Sequence, residues 1–249
     1  MARGGPDYKA SNSYYGQSLT DVGELAARIG SIDLLDRKGV VLYAEDFGNL
    51  LSPWYKTGPI GWEIEPVGEL GYLNTIVTRF HPLIAGPGAG SIQKSMPVIQ
   101  LKKYGFECMF RLNYTGAAAP GSFYMTLNYY SGTRVRGFGL YVDPAAEDIK
   151  YITMVGGFPA WAHLDNIPAN FWITGNTVYY NYLKLVIDLE LMRYDRYIFN
   201  SQGGSMITRL PTNTASTLAP HIDFILGVDG APTLDNIYAA NPILTMDEP

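Results

Sequence analysis

The chain has 249 residues, enough for one large domain or two small ones, and enough to bury a substantial core. Hydrophobic residues make up 47% and charged residues only 16%, against the ~25% charged that globular chains usually carry, which excludes disorder and implies a surface of uncharged polar groups. The 18 Lys and Arg against 23 Asp and Glu leave a net charge of −5, which argues against generic nucleic-acid binding, since that needs a basic face. The 19 Tyr, 10 Phe and 4 Trp favour pleated, half-buried surfaces, while 27 Gly and 16 Pro punctuate turns. Together they predict an all-β chain with many connections.

Residues 1 to about 20 are small and polar with scattered aromatics and no periodicity, the pattern of an extended arm ordered only by a partner. Tyr8, Tyr14 and Tyr15 are its candidate partner contacts. This start lacks the apolar region of a secretory signal, and no run approaches the ~20 apolar residues that span a bilayer. The expectation is a soluble chain without a signal peptide or a membrane partner. A short helix follows. Asp21 supplies a cap, Glu24 completes a capping box, and Gly30 supplies the stop. Val22, Leu25, Ala26 and Ile29 share one face, and roughly nine residues are too few to stand alone, so this helix must dock.

Beyond the turn at Arg37-Lys38-Gly39 the pattern is strand-like almost to the end. Val40–Tyr43, Tyr72–Phe80 and Val98–Leu101 are short apolar or alternating runs. Phe106, Cys108, Phe110 and Leu112 alternate with polar neighbours, and Phe123, Met125, Leu127 and Tyr129 do the same. The loop between them, GAAAPGS, predicts a hairpin with both apolar sets, from Phe106 to Leu127, turned to one core. The sequon at Asn113-Tyr114-Thr115 falls inside that strand and is read as chance. Further strands are predicted at 134–142, 149–155, 178–190, 193–199, 221–228 and 234–240. Such spacing predicts an antiparallel two-sheet β-sandwich, a jelly roll over residues 39–249, preceded by an arm and docking helix over 1–38.

Few residue patterns carry chemistry. Cys108 is single, which excludes an intramolecular disulfide framework, and mid-strand it reads as a buried, inert thiol. His81, His163 and His221 are too far apart for a helical metal pair. Gly86-Pro-Gly-Ala-Gly90 is followed by no Lys-Ser/Thr pair or helix, so it reads as a mobile loop rather than a phosphate cradle. Asp188 and Glu190 project from one face of the strand LVIDLELM. A retaining glycosidase needs two carboxyls ~5–5.5 Å apart, and laminarinase-type enzymes carry Glu-x-Asp-x-Glu there. Here Val186 stands in the first position, so the pattern predicts no enzyme.

Two candidate binding sites remain. The stretch from Gly156 to Gly175 gathers Phe158, Trp161, His163, Phe171 and Trp172 in a Pro- and Gly-rich loop, the equipment of glycan platforms and protein interfaces. The alternative is that a long loop packs a small core of its own. If the first and last strands pair, Glu45, Asp46 and Asp235 meet at one rim with the oxygen ligands calcium takes; the alternative is solvent-facing carboxylates without metal. No other cofactor is implied.

Ala44-Glu45-Asp46-Phe47 with Trp54, the closing Asp235-Asn-Ile-Tyr238, and the strand pair KLVIDLELMRYDRY from Lys184 to Tyr197 together resemble concanavalin-like, carbohydrate-binding jelly rolls. The segment from Asp21 through Ile32 to Gly39, behind a Met-Ala-Arg-Gly start, is similar to uncharacterised phage virion proteins. The resemblance implies a non-enzymatic virion structural protein, such as a head decoration or fibre-associated subunit, assembled in the host cytoplasm as a homo-oligomer. Its implied partners are other virion proteins such as the major capsid protein, with no nucleic acid. The alternative is a carbohydrate-binding module that holds a glycan through the aromatic loop.

Overall fold

The computed structural model describes residues 40–44, 47, 54–58, 62–67, 76–82, 88–98, 100–113, 121–168, 171, 180–200, 202–230 and 236–249. Every regular element among them is a β-strand, and all pairings are antiparallel. The arm, the short helix and Tyr8, Tyr14 and Tyr15 lie outside the described residues.

The strands form two eight-stranded sheets. Sheet A runs in the order β13 (Gln202–Ser205), β12 (Arg193–Phe199), β11 (Asn181–Asp188), β6 (Lys103–Asn113), β16 (Asn236–Met246), β4 (Val77–Pro82) and β3 (Trp62–Val67). β1 (Val40–Ala44) also pairs with β16. Sheet B runs β10 (Phe158–Asn166), β9 (Asp148–Val155), β8 (Arg134–Asp143), β7 (Ser122–Tyr130), β15 (His221–Asp229), β5 (Ala89–Met96) and β2 (Tyr55–Thr57), with β14 (Thr214–Ala215) on β8. The predicted two-sheet antiparallel sandwich of jelly-roll type is the observed architecture.

The inward faces follow the predicted alternation. Phe106, Phe110, Leu112, Phe123, Met125 and Leu127 are all buried in one core. The predicted hairpin between the two runs does not form, because β6 belongs to sheet A and β7 to sheet B. The two strands face each other across the sandwich instead. Phe110 stacks on Phe123 at 4.3 Å, and Cys108 Sγ lies 4.0 Å from Met125 Sδ. Alternation fixes which side chains point inward but not which strand is the hydrogen-bonded neighbour. Burial pushes the Cys108 thiol well above its usual range, so it is inert.

Tyrosine hydroxyls tie the layers together. Tyr194 Oη accepts from the Gly139 N–H at 2.9 Å and donates to the Ile152 carbonyl at 2.8 Å, both in sheet B. Tyr197 Oη donates to Asp165 Oδ2 at 2.5 Å. One loop reading and one strand reading are corrected. Ala89 and Gly90 belong to β5 rather than to a loop, and Val98, Gln100 and Leu101 lie outside any strand.

Candidate functional site

The outer face of sheet B carries a row of aromatic and polar side chains. Antiparallel register places Ser91, Gly227, Tyr124, Tyr141, Lys150 and His163 in one line across β5, β15, β7, β8, β9 and β10. Their alternate neighbours, Phe123, Val142, Ile149 and Val228, face the core. Trp161 joins the row from β10, its indole reaching back across β9 to within 3.1 Å of where a Cβ on Gly139 would stand.

The result is a platform of three half-buried rings. Tyr124 and Tyr141 are parallel within 6° at 6.4 Å, and Trp161 lies 5.1 Å from Tyr141 and 6.4 Å from Tyr124. Gly227 leaves the room that the Tyr124 ring occupies, since a Cβ there would collide with it, and a Cβ at Gly139 would collide with the Thr126 methyl and crowd the Trp161 indole.

Charged groups flank the rings. Lys150 Nζ sits 5.6 Å from the Tyr141 ring centre, 2.7 Å from Asp143 and 3.9 Å from Asp148. His163 Nδ1 donates to Asp148 Oδ1 at 2.6 Å. The Tyr141 hydroxyl meets Ser122 and Asp229, and the Tyr124 hydroxyl meets Ser91. Burial, with the Asp229 charge added, pushes both phenols above their usual range, so they stay protonated hydrogen-bond donors.

The residues expected from sequence divide across this geometry. Trp161 and His163 lie two positions apart on the outer face, but on strand β10 rather than on a loop. The glycines read as loop signals form a tight turn instead, with φ of 59° at Gly156 and 87° at Gly157. Phe158 stands at that hairpin tip, 75% exposed and opposite Val155, on the other side of the strand from Trp161. Phe171 packs into the main core of the sandwich, against Phe199 at 5.6 Å, and not into a separate small core of the loop. Trp172 lies outside the described residues.

β1 and β16 pair as expected, with Ala44 opposite Ile243. Glu45, Asp46 and Asp235 lie outside the described residues. Among the described residues no three His, Cys, Asp or Glu side chains are grouped to hold a metal. Asp188 and Glu190 do not share a strand face, because β11 ends at Asp188 and Glu190 lies in the following turn. Asp188 is buried, and its Oδ1 accepts the Leu191 N–H at 2.9 Å. Tyr124, Tyr141, Lys150 and the flanking aspartates were not singled out from sequence. Two signals mark them: tyrosines on the polar phase of an alternating strand, and glycines in the middle of neighbouring strands.

No family model and no curated protein matches the chain. Solved structures with a similar fold include the VIP36 exoplasmic/lumenal domain in its Ca2+/Man3GlcNAc-bound form, at 12% identity and TM-score 0.49 over 79% of this chain and 84% of that one. A carbohydrate esterase from the Shiga toxin-encoding bacteriophage phi24B aligns at 12% identity and TM-score 0.46, over 85% of this chain and 100% of that one. The CBM2 module of evolved Dit from Lactobacillus casei BL23 phage J-1 aligns at 12% identity and TM-score 0.44, over 84% and 96%. The two-sheet antiparallel sandwich is given by the strand pairings of this chain, and it is the fold that the resemblance to concanavalin-like jelly rolls implies.

Proposed function

We propose that the chain is a glycan-binding module whose contact surface is the outer face of sheet B around Tyr124, Tyr141 and Trp161. The observation that carries this reading is the platform itself. Three aromatic rings lie partly open over glycines on a rigid sheet, with hydroxyls and carboxylates at their edge. Sugar rings present an apolar C–H face and a rim of hydroxyls, so they match aromatic faces bordered by acceptors. A site on paired strands also loses little conformational freedom on binding.

The reading contains no bond-breaking step. The Asp188 carboxylate is committed to its turn, and Val186 occupies the position where laminarinase-type enzymes carry a carboxylate. Assembly through residues 1–20 is a separate proposal, carried by the sequence pattern of the arm alone.

Titration of a neutral polysaccharide panel into the intact chain tests the site. Trp161→Ala and Tyr141→Ala should each weaken binding about tenfold, ~1.4 kcal/mol. Asp188→Asn should leave it unchanged. Undiminished binding by the Trp161→Ala/Tyr141→Ala double variant would remove the platform from the reading. Reducing-sugar release that vanishes in Asp188→Asn would make the chain an enzyme.

A further inference from the structure

We propose that this platform takes uncharged glycan segments and turns away uronate- and sulfate-bearing ones. The inference rests on the glycan-binding reading and adds the chemical class of its ligand. The charges around the rings carry it. Asp143, Asp148 and Asp229 border the platform, and Lys150 is the cation among them. Three carboxylates against one ammonium leave two negative charges, or one when His163 is protonated. The other outer-face neighbours on β5 and β7, namely Ser91, Gln93, Ser122 and Thr126, carry no charge.

Lys150 does not offset this for an incoming anion. Its ammonium is already held at 2.7 Å by Asp143, with Asp148 at 3.9 Å, so an anionic sugar would have to compete with two fixed carboxylates for it. Asp229 stands opposite Ser122 at the end of β7, and its charge adds to burial in keeping both phenols protonated. A uronate or sulfate seated on these rings would therefore lie inside the ~8 Å screening length of physiological salt from charges of its own sign. An uncharged sugar meets the same carboxylates as hydrogen-bond acceptors for its hydroxyls.

The test uses matched polymers that differ in charge alone. Soluble glucan, mannan and galactan are titrated into the intact chain, each before and after oxidation of its C6 hydroxymethyl group to a carboxylate. For a polymer that binds, the oxidised form should bind at least tenfold more weakly. That gap should shrink to under threefold in Asp143→Asn/Asp229→Asn. It should shrink likewise in native protein at ~1 M salt, where the screening length is ~3 Å, a measurement that needs no folded variant. Equal binding of parent and oxidised polymer would overturn the selectivity and leave the glycan reading standing. A gap unchanged by both salt and the double substitution would overturn the electrostatic cause. Binding of none of the polymers, in either form, would overturn the glycan reading and the selectivity together.

Discussion

Gly227 shows how a residue without a side chain shapes the candidate site. Its backbone does not need glycine, since among the described residues the glycines with positive φ are Gly132, Gly156, Gly157 and Gly230. What needs glycine is the Tyr124 ring, which occupies the space a Cβ at 227 would fill. Gly227→Ala should therefore lift Tyr124 off the sheet and weaken glycan binding about tenfold, comparable to removing a platform ring. The ring is partly exposed and free to swing outward, so stability should fall by only ~1 kcal/mol, the low end for overpacking. Titration and urea melts of the same variant measure both effects. Unchanged affinity would mean that Tyr124 plays no part in binding.

At the scale of the element, the outer face of sheet A offers a contrast, because beside the half-exposed Arg79, Glu63 and Glu65 it carries a charge network that is sealed rather than displayed. Lys184 on β11 is wholly buried, 2.9 Å from Glu248 and 3.4 Å from Glu107 on β6. Arg196 on β12 reaches Glu248 at 2.9 Å, and Tyr182 donates to Glu107 at 2.6 Å. The chain end is thereby locked to three adjacent strands. Burial raises the Glu107 carboxyl above its usual range despite the Lys184 ammonium. Lys184→Ala would leave both carboxylates buried without their ammonium, a loss of ~3–5 kcal/mol near neutral pH. The loss should shrink as pH falls and the Glu107 carboxyl, already raised by burial, takes up its proton. Urea melts at neutral and acid pH check this, and a loss below ~1 kcal/mol at neutral pH would show that the network contributes little.

The elements also show what was legible in the sequence. β6 and β7 were readable because each turns every second residue to one core. β10 was not, because Gly156, Gly157 and Pro159 are loop signals in isolation. In the fold the glycines make a tight turn, and Pro159 is tolerated because β10 is the edge strand of sheet B. Trp161 and His163 were thus legible as candidate site residues but not as residues of a strand. Tyr124 and Tyr141 stayed hidden for a different reason. Their meeting with Trp161 depends on the register of four strands, which no local pattern encodes.

For the whole molecule, the hydroxyls that pin one sheet to the other make stability sensitive to alkali. Burial drives Tyr194 and Tyr197 well above the ordinary phenol value of 10.0. Tyr124, Tyr130 and Tyr141 move the same way from the same cause. A group whose folded pKa is raised contributes stability that is complete below the unfolded value and lost as pH climbs above it. Below pH 10 these phenols are neutral in both states, and stability should be flat with respect to them. Above it the unfolded chain ionises them while the folded chain does not. Tyr194 and Tyr197, which are raised furthest, then each remove up to ~1.4 kcal/mol per pH unit, and the partly exposed Tyr130 and Tyr141 remove less. Urea melts from about pH 8 to 11.5 should show a plateau and then a steep fall. Tyr194→Phe starts lower, because the Gly139 N–H loses its acceptor, but should fall less steeply at the alkaline end. A native curve that stays flat through the alkaline range would mean that these phenols ionise as readily in the fold as outside it, and that Tyr194 and Tyr197 do not pin the two sheets.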